Sequence, residues 1–171
     1  MRILFSIASF LMITTGIYDF HVRSVTGSDI NLDNFRGKKI LLVNTASSGP
    51  YVNQYASLET LYQRYEDSLV VIAFPSNSFG HEAGTNEQIR SFVTNIYHTH
   101  FLLAEKTEVM GDNIVPLFQW LSLAEENGAM DGKVKGDFYK FLIDGTGNII
   151  GTFDGSVDPM SDKIQNAITQ N

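Results

Sequence analysis

The pattern of apolar residues predicts an α/β layer fold with a central mixed sheet flanked by helices, and three observations carry that prediction. Two continuous apolar runs of strand length, "KILLVNTA" at 39–46 and "SLVVIAFP" at 68–75, suit a sheet covered on both faces. Each run leads into a segment whose apolar residues recur at helical spacing. Further on, "DFYKFLIDGTGNIIGTF" reads as a hairpin around Gly145 to Gly147, with a terminal helix in "DPMSDKIQNAI".

Taken in order, "MRILFSIASFLMITTG" carries one positive charge, Arg2, and then an apolar run from Ile3 to Ile13. The run is too short for a membrane span and suits the core of a secretory signal over residues 1–16, with a first buried strand as the alternative. Export to a periplasm or to the outside is the corresponding expectation, with no membrane span once the signal is removed. "IYDFHV", "TGS" and "DINL" then read as a small N-terminal β-hairpin, alternating at Tyr18, Phe20 and Val22. After the 39–46 strand, Tyr55, Leu58, Leu61, Tyr62 and Tyr65 form one stripe of an amphipathic helix over 54–65. Pro75 closes the second strand. Thr85 and Gln88 form a capping-box pair opening a helix with the stripe Ile89, Phe92, Val93, Ile96 and Tyr97. "FLLAEKTEV" holds a short strand. "PLFQWLSLAEENG" reads as one helix entered at Pro116 and stopped at Gly128, with Leu117, Trp120, Leu121 and Ala124 inward. Residues 17–171 are expected to form a single domain.

Composition narrows the chemistry. The 171 residues are 43% hydrophobic and 18% charged, which fits one domain with a full core. The net charge of −7, with no run of Lys or Arg beyond two, speaks against nucleic-acid binding through phosphates. The chain has no cysteine. Disulfides, thiolate catalysis and cysteine-ligated metals are thereby excluded.

Several ordered motifs resemble the glutathione peroxidase family over essentially the whole of 17–171. "IYDFHV…LDNFRGKKILLVNTAS" is similar to that family's opening, and "QYASLETLYQRY" to its first helix. "FPSNSFG…GTNEQI" resembles its second signature, usually F-P-C-N-Q-F-G, with "FGHEAG" one residue shorter than the usual loop. "PLFQWL" and "FYKFLIDGTGNIIG" resemble its later helix and closing hairpin. The resemblance implies a thioredoxin-like fold and an oxidoreductase that reduces hydroperoxides in the oxidative-stress response. It also implies a thiol or selenol assisted by a glutamine, a tryptophan and an asparagine. In ungapped register the nucleophile's place falls on Gly49, the glutamine's on Ser78, the tryptophan's on Gly136 and the asparagine's on Asp137. The cysteine of the second signature falls on Ser76. Trp120, the only tryptophan, belongs to a helix stripe and reads as core.

The expectation is therefore a glutathione-peroxidase-like protein that is catalytically inactive as a thiol peroxidase, with a binding or structural role in the envelope. Its partner would be a protein or small molecule that the sequence does not name. One alternative is a hydroperoxide reductase working through a non-thiol or borrowed redox centre. Another is a serine-dependent enzyme drawing on Ser47, Ser48, Ser76 or Ser78 with His81 and Glu82 nearby, against the simpler reading of these serines as caps and turn residues. No cofactor and no metal are expected; His98 and His100 form an H-x-H pair without a third ligand close in sequence, and His21 is expected to face solvent. A shallow pocket lined by Ser48, Ser76, Ser78 and Asp137 is expected beside the backbone N–H groups of Gly49, Tyr51 and Val52, which resemble a weak anion site at a helix start. The Asp137 charge argues against an anionic occupant.

Overall fold

The computed structural model describes residues 15–170. All but two residues of the predicted signal segment fall outside that range.

Five strands form the central sheet in the order β5-β4-β3-β6-β7. They are β3 (Lys39–Thr45), β4 (Leu69–Pro75), β5 (Leu102–Leu103), β6 (Lys140–Ile143) and β7 (Ile149–Phe153). A separate hairpin pairs β1 (His21–Arg23) with β2 (Asp29–Asn31). The hairpin starts later than the sequence predicts, because Ile17–Asp19 forms a 3₁₀ turn in which Ile17 and Tyr18 are buried. The pairs β3–β4 and β4–β5 are parallel, and β3–β6 and β6–β7 are antiparallel, so the sheet is mixed.

Alternation along β3 sends Ile40 and Leu42 to one face and Leu41 and Val43 to the other, all four fully buried. Burial of each such side chain contributes about 1.5–3 kcal/mol, so this one strand anchors both layers. On the first face lie the 3₁₀ turn and α3 (Pro116–Ser122), with Phe118 against Phe74. On the second lie α1 (Gln54–Tyr65), α2 (Asn86–Tyr97) and α5 (Asp162–Thr169). The stripe predicted for α1 is the buried one: Tyr55, Leu58 and Leu61 are sealed, with Tyr62 and Tyr65 half-buried. The capping box at Thr85 and Gln88 is formed in both directions.

The predicted helix over 116–128 is interrupted. It splits into α3 and a short α4 (Ala124–Asn127) at Leu123, which takes an extended conformation. Side chains supply what the helix ladder gives up there: Ala124 N donates to Asp131 Oδ1 at 2.8 Å, and Asn127 Nδ2 donates to the carbonyls of Trp120 and Met130. Gly128 then ends α4 in the left-handed conformation, with Ala124 only half-buried. Trp120 is core, and its Nε1 donates to the Thr15 carbonyl at 2.8 Å.

Sheet topology decides what meets at the functional end. Because β3 and β4 are parallel and in register, Thr45 lies beside Pro75, and both chains leave the sheet at the same edge. Because β6 runs antiparallel to β3, with Lys140 beside Val43, it enters the sheet at that edge. Three segments far apart in sequence, around Gly49, Ser76 to Glu82, and Gly136 to Phe138, therefore converge outside the carboxyl ends of two parallel strands, where open α/β sheets hold their sites.

Candidate functional site

Asn44, at the end of β3, organises the corner. Its Nδ2 donates to the Gly136 carbonyl at 3.1 Å and its Oδ1 accepts from Tyr139 N at 3.0 Å, while its backbone carbonyl accepts from Phe138 N at 2.7 Å. These bonds hold Phe138 at a left-handed φ of 57°, with its ring buried edge-on against Tyr55. Asp137 is thereby turned inward and is only 4% exposed.

After Thr45 the chain forms the turn 47–53, and α1 begins only at Gln54. Residues 51–56 are linked by tight turns, among them Gln54 N to the Tyr51 carbonyl at 2.9 Å. The N–H groups of Gly49, Tyr51 and Val52 thus belong to this turn and not to the first turn of the helix. Among the described residues none of the three donates to an acceptor. Two side chains clamp the turn to the loop after β4. The buried Glu82 carboxylate accepts from both Ser47 N and Ser47 Oγ, each at 2.7 Å. Ser48 Oγ and Ser48 N both donate to the His81 carbonyl, at 2.7 and 3.2 Å.

That clamp brings His81 over Gly49. The imidazole Nδ1 bonds to Asp137 Oδ2, with the ring side chain 44% exposed and the carboxylate almost wholly buried. Gly49 sits at φ +97°, and a Cβ placed on it would lie 3.1 Å from His81 Nδ1, 3.2 Å from its Cγ and 3.4 Å from Asp137 Oδ2. A side chain at 49 would press on the imidazole and the carboxylate, which would have to give by a few tenths of an ångström. Asp137 Oδ1 and, in residues flanking the turn along the chain, Thr45 Oγ1, Gln54 Oε1 and Tyr55 OH are buried without a hydrogen-bond partner among the described residues. Burial drives the Tyr55 hydroxyl pKa well above that of an ordinary phenol, with the Glu82 and Asp137 charges adding to the rise.

The four residues expected to line one pocket fall into two groups. Ser48 and Asp137 both meet His81. Ser76 and Ser78 form a separate knot, in which Ser76 Oγ donates to Ser78 Oγ at 2.9 Å and Ser78 Oγ donates to Glu108 Oε2 at 2.6 Å. Val109 N closes the knot by donating to Ser78 Oγ at 3.1 Å. Among the described residues no hydrogen bond joins the two pairs, and Glu108, from the segment after β5, holds the second. None of the four serine hydroxyls bonds to an imidazole among the described residues. Gly136 has nothing within 4 Å of a Cβ placed on it, so its side-chain direction is open.

The other histidines lie elsewhere. His98 is the left-handed cap of α2, and His100 is an exposed loop residue whose Nδ1 bonds to Glu59 Oε1 at 2.7 Å. His21 is exposed and pairs with Asp29 at 3.0 Å. Among the described residues no group of three or more His, Asp or Glu side chains could hold a metal ion, and no helix is long and apolar enough to cross a membrane.

A family model for glutathione peroxidase matches residues 17–122. The chain belongs to the glutathione peroxidase family. It is 36% identical over 150 residues to a probable phospholipid hydroperoxide glutathione peroxidase of Citrus sinensis, covering 86% of this chain and 89% of that protein. It is 36% identical over 144 residues to a glutathione peroxidase of Lactococcus lactis, covering 83% and 91%. The crystal structure of Trgpx in its apo form superimposes with a TM-score of 0.68 at 34% identity, covering 91% of this chain and 97% of that one. A thioredoxin family protein from Chlorobium tepidum reaches a TM-score of 0.66 at 15% identity, which shows the thioredoxin-like fold alone. Of the four positions that the resemblance assigns to glutathione peroxidase chemistry, Gly49 and Asp137 come together, Gly136 is adjacent to them in the chain, and Ser78 lies in the separate knot. Sequence reasoning missed the His81–Asp137 couple. The two residues are 56 apart, and the only signal was an acidic side chain in the asparagine's register beside a histidine in a shortened loop.

Proposed function

We propose that this protein is a glutathione peroxidase family member without thiol peroxidase activity, exported through its N-terminal apolar segment and serving a binding or structural role in the envelope. One observation supports the loss of activity beyond the lack of cysteine: the nucleophile's register position is a left-handed glycine whose side chain, if it had one, would crowd His81 and Asp137. A thiol peroxidase needs a sulfur or selenium that cycles through oxidised states, and neither an imidazole nor a serine hydroxyl does so.

The direct test is NADPH-coupled turnover of hydrogen peroxide and an organic hydroperoxide by the purified chain, with glutathione or thioredoxin as donor. No turnover above buffer is expected, and turnover well above buffer would overturn the proposal. Gly49→Cys should yield a sluggish thiol at best. The left-handed backbone adds about 1–2 kcal/mol of strain to any side chain there, and a cysteine would meet the His81 ring at its Cβ. Family-like rates from this single change would refute the register at Ser78, Gly136 and Asp137. For export, mass spectrometry of the envelope fraction should find a mature N-terminus near residue 17, and an intact Met1 there would count against cleavage.

A further inference from the structure

We propose that His81 and Asp137 form a general-base couple that hydrolyses small activated acyl esters at the turn carrying Gly49. Three independent features meet there. The first is the couple itself: a buried carboxylate only accepts hydrogen bonds, so in the neutral ring Nδ1 carries the proton and Nε2 keeps its lone pair. Among the described residues Nε2 has no partner, and the ring is 44% exposed. The second is the set of N–H groups on Gly49, Tyr51 and Val52, which donate to nothing among the described residues, with Gly49 lying against the Nδ1 and Cγ edge of the ring. The third is the rigidity of the support. Ser48 holds the His81 backbone with two hydrogen bonds, and Glu82 pins the neighbouring residue of the turn with two more.

A base, a group that orients it and backbone donors suited to an oxyanion are the parts that acyl transfer to water requires. His81 Nε2 takes a proton from water as the water oxygen bonds to the acyl carbon, and the carbonyl oxygen becomes an oxyanion that the turn N–H groups stabilise against the nearby Asp137 charge. On collapse the bond to the leaving oxygen breaks, and that oxygen takes its proton from the imidazolium. The products are the acid and the alcohol or phenol, with no redox change. Asp137 is a positioning residue: it touches only the imidazole and holds the tautomer. No serine takes part, since the Ser48 hydroxyl is committed to the His81 carbonyl. With only the imidazolium to assist departure, esters with good leaving groups are the favoured substrates.

Two other histidines serve as internal controls. His100 also bonds a buried carboxylate, Glu59, through Nδ1, but that carboxylate is saturated by His100 N and Gln63 as well. His21 pairs with an exposed Asp29.

The test is hydrolysis of p-nitrophenyl acetate by the full chain. General-base assistance is worth about 10²–10⁴-fold, so His81→Gln should lower kcat/KM by at least about 10-fold. His100→Gln and His21→Gln should change it less than about 2-fold. Asp137→Asn should lower kcat with KM unchanged, which general loosening of the corner would not do. On the unaltered protein, long-range ¹H–¹⁵N spectra should show neutral His81 as the Nδ1–H tautomer, shifting towards Nε2–H in Asp137→Asn. Loss in His100→Gln equal to that in His81→Gln, more than half the activity retained in His81→Gln, or an Nε2–H tautomer in the unaltered protein would each overturn the proposal. Where a variant fails to fold, the unaltered protein decides: hydrolysis no faster than buffer, or an Nε2–H tautomer, overturns the proposal. None of these outcomes bears on peroxide reduction, which has its own assay.

Discussion

Two polar corners lie at the carboxyl ends of β3 and β4, and they treat their hydrogen bonds in opposite ways. In the Ser76–Ser78–Glu108 knot both hydroxyls donate and accept, and the carboxylate and Val109 N complete the set. In the Gly49–His81–Asp137 corner, one carboxylate oxygen, one ring nitrogen and three backbone N–H groups have no partner among the described residues. Of these, Asp137 Oδ1 is buried, where an unpaired polar group costs about 1–3 kcal/mol, while the ring nitrogen and the N–H groups belong to partly exposed residues open to solvent or a ligand. The closed knot therefore reads as a joint holding the loop after β4 to the segment after β5. The open corner reads as the place where chemistry or binding occurs.

Four substitutions can break or sharpen this contrast. The largest effect should come from Gly155→Ala, just beneath the open corner. Its Cβ would fall 2.2 Å from the Asp137 carbonyl and 2.9 Å from the Tyr51 ring, and neither can retreat without moving the corner. A loss of about 3 kcal/mol or more is expected from urea unfolding, since overpacking against backbone cannot be relieved by a rotamer change. A near-neutral result would show that the corner is far softer than its hydrogen bonds imply.

Next is Lys140, wholly buried where β6 enters the sheet, with its Nζ donating to the Phe138 carbonyl at 2.7 Å. Burial lowers its pKa from 10.5 to about 8, against the pull of Asp158 and Asp154. Between those values the unfolded chain binds more protons than the folded one, so stability rises with pH through that window. The unfavourable contribution, up to about 3 kcal/mol, is fully present below pH 8 and relieved by about pH 10.5. Lys140→Met should flatten the rise in denaturation midpoint over this range, and an unchanged profile would assign the rise to another group.

Ser78→Ala should cost about 2 kcal/mol, because it strands Glu108, Ser76 and Val109 N together. It should leave ester hydrolysis untouched; a matching loss of hydrolysis would show that the two corners are one site. The smallest effect is expected from Gly136→Trp. Its Cβ meets nothing within 4 Å, so the change in stability should stay within about 0.5 kcal/mol. A large destabilisation would mean that the open direction beside Asp137 is already filled.

The strands, α1 and α2 were legible because burial periodicity is a local property: Leu41 against Leu42, or Tyr55 with Leu58 and Leu61, declare their faces within a few residues. The break at Leu123 was not legible. It depends on Asp131 and Asn127 reaching back to supply bonds that the helix would otherwise make. The same holds in the candidate site. The glycine at position 49 and the acid at 137 could each be read in the motif register, but their neighbour could not. His81 sits in a loop whose path is set by Ser48 and Glu82, and its partner arrives 56 residues later, in the turn that leads into the antiparallel strand β6.

By itself, then, the sequence determined the layer architecture, the family likeness and the lack of any thiol, since apolar period, motif order and residue type are all carried along the chain. Only the tertiary structure decided that the place facing Gly49 holds an imidazole braced by a buried carboxylate. Hydrogen bonds between distant segments depend on sheet order and loop path, and neither is written in any one stretch of residues.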